Sequence, residues 1–395
     1  MSKAGYIQLS VLLVGLLRVP HAGAEESAPL VLFDATVQTI QAQLGVAAAA
    51  GSAWATQASQ MRQELVTHGA KTGEAQVYLA LQALLGKLDH GGSELLSADE
   101  QRYWTYLAAF SGQLDGAPLR HIGAWYERHG KNWFVSRVMT DGPAARGGLV
   151  AGDELLEVNG KAFTPVNSFK DLAADAVVQI SYKRLPWSKV KSATVTTEVS
   201  SLQTSLLRAM TQGQKILNIK HKRVLYLALP MSSNPAFRAA LLSAATQAQM
   251  QVEAMVLDLR GDYGAVGLTY TEAFLSPPSA PGAAVAATIT PYTKPLVVLI
   301  DQGTSGGREN LAWLLKRRHR ATMVGHATAG AISSVQATEV LAQRYLLVTP
   351  VASADQGMRQ RGVNPDIPSD PPHIYTAGHD EALDLALAKA ADLAP

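Results

Sequence analysis

No cysteine occurs among the 395 residues. Disulfides, thiol nucleophiles and thiolate metal sites are therefore excluded together. The chain also lacks a His-Glu-x-x-His pair, a P-loop and a Gly-x-Gly-x-x-Gly turn. Metalloprotease, NTPase and dinucleotide chemistry lose their usual supports, and neither a metal nor a cofactor is expected. Charge of one sign is not in excess, with 34 Lys and Arg against 32 Asp and Glu. No basic stripe is interleaved with aromatics, so a nucleic-acid partner is not expected. After the first two dozen residues no apolar run is long enough to cross a bilayer.

What the chain does hold begins with a leader. Lys3 precedes an apolar run of about 11 residues from Ile7 to Leu17, and Ala22, Gly23 and Ala24 stand before Glu25 and Glu26. This pattern predicts a secretory signal over residues 1–24, cleaved after Ala24, and a periplasmic or secreted protein. Arg18 directly after the apolar run is unusual for such a leader and leaves an uncleaved anchor as the alternative. Removing Lys3 and Arg18 leaves 32 basic and 32 acidic residues. With 47% apolar residues the remainder is able to bury a sizeable core in two or three domains.

Three zones follow. Residues 25–117 are predicted helical, with apolar residues at helical spacing over 33–44 and 75–88, an alanine-rich stretch over 46–53, and Ser97 and Glu100 spaced as a capping box. Residues 118–199 change to short β segments. "NWFVSRV" and "DELLEVNG" read as strands, the second closing on an Asn159-Gly160 turn. "SFKDLAADA" is predicted as a short helix, and "VVQISYKR" with "SATVTTEV" as a further strand pair. Residues 200–395 alternate strand and helix: strands over 224–229, 254–259, 295–301 and 321–325, helices over 235–251, from about 308, and over 381–393. "SPPSAPGAAVAA" (276–287) reads as a loop or insertion.

Five stretches, in this order, resemble one family, the carboxyl-terminal processing (tail-specific) serine proteases. They are "LLGKLDHGGSELLSADE" (84–100), "GPAARGGLVAGDELLEVNGKAF" (142–163), "AMVLDLRGDYG" (254–264), "PLVVLIDQGTSGGRENLAWLLKRRHRATMVGHATAG" (295–330) and "RGVNPDI" (361–367). The resemblance implies an α/β, ClpP/crotonase-like core with an inserted β-rich PDZ domain and a helical N-terminal region. It also implies capture of protein C-termini. A PDZ domain adds a peptide as an extra strand, and backbone N–H groups hold its terminal carboxylate. By resemblance that loop is Arg120, His121, Ile122 and Gly123.

The family cuts peptides with a serine at a strand-to-helix corner and a buried lysine as its base, and glycine N–H groups hold the oxyanion. Matching on Glu309, Arg320, Gly325 and Gly330 places Gly306 at the nucleophile and Ala331 at the lysine. Gly261 and Gly264 fall at the oxyanion donors. Two readings follow. In the first, the protein grips extended tails without Ser-Lys catalysis. In the alternative it is a serine endopeptidase with a shifted nucleophile. On that second pattern, similar to a related branch through "TAGAISS", Ser305, His90 and Glu309 form a relay assisted by Ser333 or Ser334. Ser305 as a helix N-cap, Glu309 as a first-turn dipole partner and His90 as a loop residue are the plainer roles.

Overall fold

The computed structural model describes residues 28–44, 53–68, 73–88, 93–111, 116–231, 234–261, 268–276, 290–330, 335–341, 344–350, 362–369 and 374–395. The predicted signal, the alanine-rich stretch apart from Ala53, and nearly all of the 276–287 insertion lie outside them. The chain divides into two compact units, residues 1–95 with 338–349 and residues 96–337 with 350–395.

The first unit is built on helices α1 (Ala28–Leu44), α2 (Ala53–His68) and α3 (Glu74–Leu85). Val77, Leu81, Leu84 and Leu85 recur at helical spacing on α3 and bury against Leu32, Phe33 and Ile40 of α1. The Trp54 indole N–H donates to the Leu84 carbonyl at 3.0 Å, satisfying a polar atom inside that core. A three-stranded sheet, β1 (Glu94–Ser97), β16 (Tyr345–Pro350) and β15 (Val335–Leu341), in that order, adds Leu95, Tyr345 and Leu347 to it. The zone expected to be wholly helical thus contains a strand. Its four residues are too few for a period to be read, and its pairing partner lies some 250 positions away.

In the second unit, α4 (Gln101–Ser111) opens behind one half of the expected capping box: the Ser97 N–H donates to Glu100 Oε1 at 3.0 Å, while the Ser97 hydroxyl accepts from the Asp99 N–H at 3.3 Å and the Glu100 N–H goes to the Ser97 carbonyl. An antiparallel ribbon of β2 (Pro118–His121) and β9 (Glu198–Ser201) then leads into and out of the β-rich domain. That domain holds β3 (Ala124–His129), β4 (Asn132–Val138), a single turn α5 (Pro143–Arg146), β5 (Glu154–Val158), β6 (Lys161–Ala162), β7 (Val177–Lys183) and β8 (Lys191–Thr196). The sheet order is β3-β4-β5-β7-β8, with β6 folded back on β5, so β3 is an edge strand. Asn159 and Gly160 both take positive φ, 51° and 76°, as a two-residue primed turn requires. Alternate residues of β7 and β8 (Val178, Ile180, Tyr182, Ala193, Val195) face one core with Phe163 and Phe169. The predicted helix over "SFKDLAADA" is instead a run of turns; Lys170 N–H bonds back to Val166 O at 3.2 Å, but the pattern does not propagate.

The remainder is α/β. Its sheet runs β10 (Lys215–Ile219), β11 (Lys222–Ala228), β12 (Ala254–Asp258), β13 (Leu296–Ile300), β14 (Thr322–Gly325) and β17 (Ile367–Pro368). Every pair from β11 onward is parallel, and every residue of β12 and β13 is buried, as continuous apolar runs in a covered parallel sheet require. Helices α6 (Leu202–Gln212), α7 (Pro235–Gln251), α8 (Gly307–Arg317) and α9 (Glu381–Leu393) complete it. The Asn234 side chain caps α7 through the Ala236 N–H at 2.9 Å, with Pro235 in the first turn. Helix α9 buries Ala386, Leu387 and Ala390 against Val256, Val297 and Val324.

A segment just before α9 clasps the β-rich domain. Tyr375 N–H bonds the Gly152 carbonyl at 2.9 Å, Gly378 N–H bonds Ala151 O at 3.1 Å, and the Tyr375 hydroxyl bonds Glu154 at 2.7 Å. The Tyr375 ring meets Phe134 edge-on, centroids 5.0 Å apart. Gly152 has φ 87°, and a Cβ there would lie 2.6 Å from Thr376 N, so this approach needs glycine.

Candidate active-site corner and peptide groove

The corner after β13 is built as a sharp turn into α8. Gly306 stands at the helix N-cap with φ 62° and ψ −131°, a conformation costly for any residue with a side chain. Ser305, expected to cap α8, does not. The cap carries no side-chain hydrogen bond, and Ser305, half-buried, has no hydrogen-bond partner among the described residues. Thr304 is fully buried; its hydroxyl donates to Leu259 O at 3.1 Å and lies 2.9 Å from Asp301 Oδ1.

Glu309, fully buried in the first turn of α8, braces the loop beyond β14. Its Oε1 accepts from the Thr328 hydroxyl and from the Gly330 N–H at 2.8 Å. The Thr328 hydroxyl oxygen in turn accepts from the Val363 N–H at 2.7 Å. Glu309 therefore ties the corner helix, the loop leading to Ala331 and the "RGVNPDI" segment into one network. Asp366 of that segment accepts from Met323 N–H at 2.8 Å and from Lys316 at 2.7 Å. The basic end of α8 is accordingly less free than a solvated helix terminus: Lys316 is bridged, and Arg320 donates to Lys294 O at 2.9 Å. Arg317 is exposed and lies over the Trp313 ring at 4.9 Å, away from the corner.

The glycine loop after β12 faces this corner. Gly261, at φ 98°, directs its N–H to both Asp301 carboxylate oxygens, at 3.0 and 3.1 Å. The carbonyl before it, Arg260 O, accepts from Arg308 at 3.1 Å and from Arg137 of β4 at 3.0 Å. A Cβ on Gly261 would fall 1.8 Å from the Arg137 guanidinium. The Arg260 side chain forks to Asp258, with bonds of 3.0 and 2.8 Å, and to Asp380, with bonds of 2.8 and 2.7 Å. Burial pushes the Asp258 carboxyl up, but the Arg260 charge and hydrogen bonds outweigh it and hold Asp258 below its ordinary value. His90, Gly264, Ala331, Ser333 and Ser334 lie outside the described residues.

The loop expected to hold a peptide carboxylate is organised around His121. Its ring is buried, with Nδ1 accepting from the Gly123 N–H at 3.0 Å. Nε2 is then the protonated nitrogen, facing Ser200 at 3.2 Å and Ser205 at 3.3 Å. Glu198 accepts from both hydroxyls, at 2.8 and 2.6 Å, and from Arg208. Burial lowers the His121 pKa, Glu198 opposes this, and Arg208 adds to it. Burial raises Glu198, yet hydrogen bonds from Ser205, Arg208 and Ser200 bring it down to about 2. Ile122 is fully buried, and Gly123 takes φ 69°. Arg120 donates to the Lys170 carbonyl at 2.6 Å. In this arrangement His121 shapes the loop from inside, while Arg120 reaches the turn that carries Lys170.

Gln101, which sequence reasoning did not single out, sits on the open edge of β3. Its amide nitrogen donates to Ala124 O at 2.6 Å and its amide oxygen accepts from Tyr126 N–H at 3.2 Å. No local pattern marks it, because its partners lie more than 20 residues away.

Residues 134–184 match the family model for the PDZ domain, and residues 223–369 match that for peptidase family S41. Among solved structures, the chain is similar to a photosystem II D1 C-terminal processing protease, at 20% identity and TM-score 0.49 over 90% of this chain and 98% of that one. It is also similar to a putative S41 protease from Bacteroides fragilis, at 19% identity and TM-score 0.48 over 80% and 90%. A lipoprotein from Streptococcus agalactiae matches at 12% identity and TM-score 0.43 over 95% and 100%. No curated protein matches the sequence. Among the described residues no helix is long and apolar enough to cross a membrane.

Proposed function

For what is a PDZ-containing, tail-specific-protease-like member of peptidase family S41, we propose a gripping function: it captures protein C-termini or extended segments and does not cleave them by Ser-Lys catalysis. The observation that carries this reading is the corner itself. The position matched to the nucleophile is Gly306, in a backbone conformation that glycine adopts freely and that holds no hydroxyl. The neighbouring Ser305 has no proton acceptor among the described residues. Glu309, its proposed partner in a relay, has one carboxylate oxygen committed to Thr328 and Gly330. A hydroxyl attacks an amide only when a base removes its proton, so an intact scaffold without that pair binds and releases. The oxyanion assignment belongs to the same scaffold: Gly261 spends its N–H on Asp301. On the expectation that residues 1–24 are a secretory leader, the protein acts in the periplasm or outside the cell, where its ligands would be exposed tails of other exported proteins.

The test compares wild type with Ser305→Ala on an unfolded protein ending in an apolar tail, followed by gel and mass spectrometry. Background-level cleavage by both, with retention of the substrate on immobilised protein, is the expected result. Cleavage by wild type that is lost in Ser305→Ala supports the alternative, a serine endopeptidase with a shifted nucleophile. Equal cleavage above background by both points to an attacking group elsewhere. Either of those last two outcomes overturns the gripping function as stated.

A further inference from the structure

The open edge of a sheet presents N–H and C=O groups that a further strand satisfies. In the PDZ sheet that edge is β3, and the groups facing outward include Ala124 C=O and Tyr126 N–H. Both are already satisfied by one side chain. The Gln101 carboxamide offers a donor to the carbonyl and an acceptor to the N–H, the two kinds of group that the backbone of an added strand supplies. Its orientation is set by these partners, since the reversed amide would meet acceptor with acceptor and donor with donor.

A second contact comes from the same short segment. Asp99, two residues earlier, bonds Lys170 Nζ at 3.2 Å. Lys170 stands on the turn whose buried Phe163 and Phe169 belong to the PDZ core, and its carbonyl accepts from Arg120 at the mouth of the predicted carboxylate loop. Asp99 and the first residue of α4 therefore touch both the β3 edge and the turn that carries Lys170, a carboxylate on the cation and an amide on the strand. The Ser97 N–H on Glu100 Oε1 and the Asp99 N–H on the Ser97 hydroxyl hold that segment in place.

We propose that Asp99 and Gln101 are an internal ligand of the PDZ groove, marking where an incoming extended peptide places backbone N–H and C=O groups (on Ala124 and Tyr126) and its terminal carboxylate (on Lys170). The inference rests on the peptide-capture reading above and goes beyond it. It names the strand edge and the cation that receive the tail, and it makes capture a competition with the chain's own segment. A peptide then binds more weakly than the groove alone would allow, because α4's leading residues must first be displaced.

The test uses the full chain and a fluorescein-labelled ten-residue peptide ending in three apolar residues, with a free carboxylate, beside its C-terminally amidated twin. Gln101→Ala removes the internal amide, and Gln101→Glu keeps the size but sets a carboxylate against the Ala124 carbonyl. Each is expected to tighten binding of both peptides roughly five- to tenfold, as the loss of two competing hydrogen bonds implies. Asp99→Ala is expected to tighten the free-carboxylate peptide more than the amidated one. Affinity unchanged or weakened in all three variants, with wild type binding, overturns the internal ligand and leaves capture standing. No binding by wild type or any variant removes the capture reading, and this inference with it. A readout in the wild-type chain guards against misfolded variants: saturating peptide must shift the Gln101 side-chain amide resonances in NMR spectra, and unshifted resonances overturn the proposal.

Discussion

Replacing Arg260 by methionine removes the charge that joins the glycine loop to the C-terminal helix. In the native chain its guanidinium makes two bonds to Asp258 and two to Asp380, while Asp258 also accepts from the Tyr226 hydroxyl at 2.9 Å. Asp258 is buried, with its side chain only 9% exposed, whereas the Asp380 side chain is 35% exposed. Most of the penalty therefore falls on Asp258. Stripping one partner from a buried pair costs about 3–5 kcal/mol, because the other charge stays desolvated; the Asp380 half adds at most about 1 kcal/mol. Urea unfolding followed by circular dichroism measures the loss. Adding Asp258→Asn to Arg260→Met is expected to recover a substantial part of it, since the orphaned charge disappears. The acid profile gives an independent arm. The native Asp258 has a lowered pKa, so its contribution is complete above the unfolded carboxylate value and fades as pH falls below it. With the Arg260 guanidinium gone, burial is opposed only by the Tyr226 hydroxyl and the backbone N–H of residue 260, so its upward push on that pKa dominates and acid sensitivity is expected to reverse in sign. A cost below about 1 kcal/mol for Arg260→Met, or a double variant less stable than the single one, refutes the reasoning.

Two further expectations concern the ribbon and the corner. His121 has a folded pKa below its ordinary value of 6.5, so the neutral ring is favoured in the fold; its stabilising share is full above about 6.5 and declines as pH falls toward the lowered value. His121→Gln is expected to flatten the stability–pH curve between roughly pH 5 and 7 while leaving the Glu198 loss at lower pH in place; a curve of unchanged slope contradicts the assignment. Gly306→Ser introduces a side chain at φ 62° and should lower unfolding stability by about 1–3 kcal/mol without conferring proteolysis. Thermal unfolding and a protease gel check both halves, and cleavage by this single variant would mean a working base is already in place.

Much of the α/β part was legible because its signals are local. The apolar run 254–257 of β12 and the wholly apolar β13 announce a covered parallel sheet, and Asn234-Pro235 announces the start of α7. The last helix, 381–393, carries its own cap in Asp380. The strand β1 and the ribbon β2–β9 are too short for a period to emerge, and their pairing is decided at a distance. The 168–176 stretch had helical composition, yet Phe169 turns into the PDZ core and no helix forms over it. At the corner the motif positions could be placed from the sequence. What the sequence withheld was the use of each polar group: Asp301 on Gly261, Glu309 on Thr328, Arg137 on Arg260 and Gln101 on β3. Such assignments depend on which loops meet, and no spacing rule encodes them.

The clasp at residues 375–378 bears on how the molecule can be taken apart. A PDZ module excised along the β2–β9 ribbon would lose the tyrosine that covers Phe134 and the backbone that fills the notch at Gly152. Such a fragment would carry a bare aromatic patch and two unmet carbonyls, at Ala151 and Gly152, and would be prone to self-association. Grafting the domain elsewhere calls for a short stretch borrowed from nearly two hundred positions downstream, sewn back on through a linker.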